Sequence, residues 1–202
     1  MPELRRAYPG TDSEEKVFFC HIPRTGGSSI IKMMERSGWS VSYDILGNEE
    51  LYPTSFQIMA HYREKGEPLP RSYAITRHPM RRLESAFRVM RPSISNKQLL
   101  HCFREMSIET IYATWNRLLR PAHDLILDRT SILQYESGFN EVVHKLIREN
   151  LIDPKVKTPH LKRNTSKKRI SWDKVSQETL QKVRSVYAQD FYHFQYLLFP
   201  DK

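Results

Sequence analysis

The residues best placed to do chemistry run from Lys16 to Ser29. The apolar stretch Val17-Phe18-Phe19-Cys20 leads through His21-Ile22-Pro23 into Arg24, Thr25, Gly26, Gly27, Ser28 and Ser29. An apolar run of this length reads as a buried strand, and Gly-Gly followed by hydroxyl residues turns it into a helix. Such a turn aims backbone N–H groups and the positive end of a helix dipole at one spot, which favours an anion. Arg24 adds a cation beside that spot, and Ser28 and Ser29 add hydroxyl donors. The same pattern also serves as a plain tight connection between a strand and a helix. It is not an ATP-type P-loop, because the spacing G-x-x-x-x-G-K-[ST] is absent and no hydroxyl here follows a lysine to hold Mg²⁺.

A second segment has the same layout. Ser72-Tyr73-Ala74-Ile75-Thr76 reads as a buried strand, followed at once by Arg77-His78-Pro79-Met80-Arg81-Arg82-Leu83-Glu84-Ser85. Pro79 suits a first helical turn, where its missing donor costs nothing. That puts Arg77 at the strand exit and Ser85 on the following helix, and a guanidinium fork with a hydroxyl suits a phosphate. Arg81, Arg82 and Arg88 read as the solvated face of that helix.

Together these two segments resemble the nucleotide-binding motifs of sulfotransferases that use 3′-phosphoadenosine 5′-phosphosulfate (PAPS). His160-Leu161-Lys162-Arg163-Asn164-Thr165-Ser166 is similar to the late loop that closes over the nucleotide in the carbohydrate O-sulfotransferase branch, which includes the heparan sulfate 2-O-sulfotransferases. Tyr187 to Tyr196 resembles the C-terminal aromatic helix of that branch. The resemblance implies an α/β, P-loop-like three-layer fold, with a central mostly parallel sheet flanked by helices. It implies that Arg24, Thr25, Gly26, Gly27, Ser28 and Ser29 hold the 5′-phosphosulfate. Arg77 and Ser85 would hold the 3′-phosphate, helped by Lys162, Arg163 and Asn164. The nucleotide product would be 3′-phosphoadenosine 5′-phosphate (PAP). One departure stands out: the family has Lys where this chain has Arg24. Lysine can give a proton to a leaving phosphate and arginine cannot, so Arg24 would act as a permanent electrostatic clamp.

The transfer needs an acceptor hydroxyl, and a histidine is the natural base for its proton at neutral pH. His61 follows Phe56-Gln57-Ile58-Met59-Ala60, which reads as a strand, and its placement resembles the strand-end histidine that serves as base in the glycan branch. Glu136, after the strand Ser131 to Tyr135, is the second choice. His21 neighbours the cradle but reads as facing away from it. Sulfuryl transfer depends on positioning and charge stabilisation more than on a metal, and none is expected. Two other classes fit part of the pattern: a catalytically impaired nucleotide- or polyanion-binding module, and a small-molecule kinase requiring Mg²⁺ and ATP.

The elements that must position these residues are compatible with one domain over 1–202, residues 1–14 being a flexible lead-in. Ser40 to Tyr43 reads as a strand, Ile30 to Met34 and Phe139 to Asn150 as helices, and Leu99 to Leu119 as helical with a break near Ser107. Asp153 to Arg169 reads as a long loop. Ser176 caps a last helix whose stripe Leu180, Val183, Tyr187, Phe191 and Phe194 belongs to the core. A net charge of +9 favours anionic partners, such as PAPS and an acidic glycan acceptor. The basic run from Lys155 to Arg169 has few interleaved aromatics, so nucleic acid is not expected. The two cysteines, Cys20 and Cys102, have no metal-ligand spacing, and Cys20 reads as a core residue. No apolar run of membrane-spanning length and no signal-like start occurs, so the expectation is a cytoplasmic location.

Overall fold

A computed structural model describes residues 2–7, 13–43, 46, 53–105, 119–158, 169–172 and 175–197. In chain order its strands are β1 (Glu3–Ala7), β2 (Glu14–Cys20), β3 (Ser40–Ser42), β4 (Arg71–Thr76) and β5 (Ser131–Gln134). Its helices are α1 (Gly27–Arg36), α2 (Ser55–Lys65), α3 (Pro79–Met90), α4 (Asn96–Glu105), α5 (Phe139–Arg148), α6 (Gln177–Val186) and α7 (Ala188–His193). The chain divides into two compact units, Met1–Thr76 with Asp124–Leu161, and Arg77–His123 with Lys162–Lys202.

The first unit holds the sheet, in the order β3-β1-β2-β4-β5. β2 pairs parallel with β4, and β4 parallel with β5, while β1 lies antiparallel to both β2 and β3. Four strands therefore run the same way and only β1 is reversed, so the architecture is α/β with a mixed, mostly parallel sheet. β2 and β4 are buried on both faces, which is why they read as near-continuous apolar runs. Val17 and Phe19 of β2 join a core with Ile30, Met33 and Met34 of α1 and Val142 and Leu146 of α5. Phe18, pointing the other way, meets the ring of Tyr62 on α2 edge-on at 5.4 Å.

Two expectations are corrected here. Residues 3–7 are not a flexible lead-in but β1, paired from Glu3↔Phe18 to Ala7↔Glu14. Glu3 is buried, and its carboxylate accepts hydrogen bonds from the Tyr62 hydroxyl and from Arg5. Burial pulls the Glu3 carboxyl upward, but those two bonds and the Arg5 charge outweigh it and hold it below its ordinary value. Phe56 to Ala60 is not a strand but part of α2. Thr54 and Gln57 close a reciprocal capping box at its start, with the Gln57 N–H donating to Thr54 Oγ1 at 3.2 Å.

In the second unit α3 and α4 share a core with α6 and with Trp172, centred on Leu83, Phe87, Leu99, Phe103, Leu180 and Tyr187. α4 starts at Asn96, three residues before the expected helix, and is described to Glu105; the expected break near Ser107 lies outside the described residues. Ser176 caps α6 by accepting from the Thr179 N–H, as the sequence implies, and Tyr187 separates α6 from α7. Among the described residues no helix is long and apolar enough to cross a membrane.

Candidate functional site

In the first unit the chain leaves β2 at Cys20 and enters α1 at Gly27 through a six-residue loop. Its backbone is left-handed twice, at Arg24 (φ 68°) and at Gly26 (φ 91°). Glycine adopts this conformation freely; an arginine does so only where its surroundings impose it. Thr25 braces the bend between them, its buried hydroxyl donating to the Ile22 carbonyl at 2.8 Å. The hydroxyl proton of Thr25 is thus committed to the loop itself.

Both glycines are demanded by sterics as well. A Cβ on Gly27 would lie 2.7 Å from His21 Cδ2 and 3.0 Å from Phe19 Cε1. A Cβ on Gly26 would lie 3.3 Å from the Tyr135 ring, in a conformation that L residues rarely adopt. The helix that follows has no side-chain cap and no acidic residue in its first turn, so its positive end is not offset locally. Ser28 is exposed and Ser29 half-buried, the Ser29 N–H closing the turn onto the Gly26 carbonyl at 3.0 Å. A cup with these properties suits a phosphate or sulfate ester.

His21 corrects the reading that it faces away. Its ring edge lies over Gly27, and Nε2 is 3.4 Å from Ser28 Oγ. Burial pushes its pKa down to about 4, so the imidazole is neutral at physiological pH. Tyr135, in the short 3-10 turn Tyr135–Ser137 after β5, and Phe139 at the start of α5 form the wall against Gly26. Sequence reasoning missed that wall, and only the position of a Tyr at a parallel strand's exit could have pointed to it. Glu136, in the same turn, is exposed.

His61 stands on α2 rather than at a strand end. Its neighbour Tyr62 packs on Phe18, which ties this turn of helix to the middle of β2 rather than to the loop beyond Cys20. The strand-end argument for His61 as base is therefore removed, and the residue is half-buried.

In the second unit Arg77 precedes α3, with Pro79 in its first turn as the sequence implies, and both Arg77 and Ser85 are half-buried. The three other arginines of α3 are not a solvated face. Arg82 is buried, pairs with the buried Asp190 at 3.4 Å, and donates to the Arg120 carbonyl. Arg81 and Arg88 flank the buried carboxylate of Glu84 at 3.3 and 3.0 Å, and that carboxylate also accepts the Ile170 N–H at 3.1 Å. These cations serve the core of the unit. Cys20 is a buried core residue, as its position implies, and its thiol pKa is raised by burial. Lys162, Arg163 and Asn164 lie outside the described residues. No cluster of three or more metal-ligating side chains occurs among the described residues. Compared with protein-family models, with curated proteins and with solved structures, the chain matches none.

Proposed function

We propose that this chain is a PAPS-dependent O-sulfotransferase with a P-loop-like three-layer fold, acting on a hydroxyl acceptor of the carbohydrate class. The observation that carries the reading is the loop between β2 and α1: two sterically required glycines, left-handed backbone at Arg24 and Gly26, and an uncapped helix start without acidic residues. That cup fits the 5′-phosphosulfate by the chemistry of its donors. Gly26, Gly27, Ser28 and Ser29 bind and orient it, and Arg24 stabilises charge on the departing phosphate oxygen. Arg77 and Ser85 take the 3′-phosphate, with Lys162, Arg163 and Asn164 assisting. In the reaction the acceptor oxygen bonds to sulfur as the bond from sulfur to the phosphate oxygen breaks, and the hydroxyl proton passes to a base. His61 and Glu136 are the two side chains to test in that role. Location in the cytoplasm belongs to the same proposal.

Arg24 favours one second reading. A cation that cannot give up a proton suits a module that binds nucleotide or polyanion without turnover. Calorimetric titration with PAP, ADP and AMP, each with and without Mg²⁺, separates the classes. Metal-independent preference for PAP supports the proposal, and replacing Arg77 or Ser85 by alanine should then weaken PAP by about tenfold or more. Preference for ADP with metal, or no nucleotide binding, refutes it. PAP binding without sulfate transfer from PAPS to any of a panel of glycan acceptors selects the binding module.

A further inference from the structure

His78 sits between Arg77 and Pro79, is 2% exposed, and has both ring nitrogens engaged. Nδ1 accepts the Met80 N–H at 3.3 Å and so caps α3. Nε2 is 2.7 Å from the Leu197 carbonyl, an acceptor, so Nε2 carries the proton and donates. The ring is boxed by Phe191 at 5.5 Å and Tyr196 at 5.3 Å between centroids.

The chain reaches that carbonyl through a specific turn. Two residues beyond α7, Gln195 is in left-handed backbone (φ 54°), the Tyr196 N–H bonding back to the Phe191 carbonyl at 3.1 Å and the Gln195 N–H to the Tyr192 carbonyl at 3.4 Å. This is a Schellman closure with a non-glycine residue at the position that favours glycine. It reverses the chain so that Tyr196 and Leu197 lie back across His78. The segment after α7 is thereby fastened to the first turn of α3, between the two residues assigned to the 3′-phosphate: Arg77 one residue before His78 and Ser85 seven residues after it.

We propose that His78 is a positioning residue for the nucleotide 3′-phosphate, fastening the returning segment at Leu197 to the start of α3 so that Arg77 and Ser85 keep the spacing the phosphate requires. The inference rests on the nucleotide reading given above. His78 does not touch the nucleotide; it sets the geometry of groups that do.

The experiment compares PAP with AMP, which lacks the 3′-phosphate, as calorimetric probes of the full chain. Contacts from a guanidinium and a hydroxyl imply a wild-type preference for PAP of about a hundredfold. His78→Asn keeps a good helix cap but cannot reach Leu197. It should cut that preference about tenfold through PAP alone, leaving the AMP affinity within about twofold. His78→Gln, which extends an amide donor toward the Leu197 carbonyl, should keep most of the preference. Gln195→Val, at an exposed site, opposes the left-handed turn and should act like His78→Asn without touching α3. A wild-type chain that does not prefer PAP refutes the nucleotide reading, and the His78 proposal with it. A selective wild type whose preference survives in both His78→Asn and Gln195→Val, or whose variants lose PAP and AMP affinity equally, overturns the role of His78 alone. Should His78→Asn fail to fold, Gln195→Val decides.

Discussion

Lowering the pH from 7 to 5 should destabilise this protein through His21. In the unfolded chain the imidazole titrates near its ordinary 6.5, whereas in the fold burial holds it down to about 4. Between those values the unfolded chain binds a proton that the folded chain refuses, so stability rises with pH across the window and is lost as pH falls through it. At about 1.36 kcal/mol per pH unit, the loss from His21 reaches about 2 kcal/mol at pH 5 and about 3 kcal/mol near pH 4. Above pH 6.5 both states are neutral and the effect vanishes. Urea unfolding followed by circular dichroism at pH 7, 6 and 5, on the wild type and on His21→Gln, isolates the contribution. The other histidines and the carboxylates, Glu3 included, are common to both proteins and cancel in the difference. The wild type should lose about 2 kcal/mol more than the variant between pH 7 and 5. Equal losses would mean that His21 takes up its proton in the fold as readily as in water. The picture of a neutral imidazole packed on Gly27 would then be wrong.

Gly27→Ala forces a methyl against His21 and Phe19 and should cost about 1–3 kcal/mol. Part of that loss should be recovered in the double variant with His21→Ala, read from the same unfolding curves. Asp190→Ala leaves the Arg82 charge buried and removes the acceptor for the Ala122 and His123 N–H groups at 2.9 and 2.8 Å, so about 3–5 kcal/mol should be lost; a loss under 1 kcal/mol would refute the burial of the pair. Thr54→Ala breaks the capping box of α2 and should lower stability by about 1 kcal/mol without altering nucleotide affinity.

The strand, loop and helix from Glu14 to Arg36 were legible because local signals agree there: a run of large apolar residues, two adjacent glycines, then Ile and Met at helical spacing. Signals conflict at α2. Phe56-Gln57-Ile58 alternates like a strand, but Thr54 and Gln57 already spell a capping box, and at a helix start such local chemistry outweighs a three-residue alternation. β1 could not be read locally, since Glu3-Leu4-Arg5-Arg6-Ala7 has little to bury. Its place depends on β2, on β3 and on a tyrosine 59 positions further along. The orientation of His21 is likewise set by the missing side chain of Gly27. For α3, the spacing of Glu84 three residues after Arg81 and four before Arg88 hints at internal pairing. The partner of Arg82 lies 108 residues away, beyond any local pattern.

The division of the chain also fixes an order of events during synthesis. The first unit needs residues 124–161 to complete it, and the second needs residues beyond 161, so each is interrupted by the other. When β4 emerges from the ribosome, the edge that β5 will cover stays open until residues 131–134 follow. Arg82 emerges soon after β4, yet the carboxylate that pairs with it arrives only at Asp190. A nascent chain must therefore carry an open strand edge and an uncompensated arginine through much of its elongation. The open edge exposes the half-made protein to association with other chains until residues 131–134 are made.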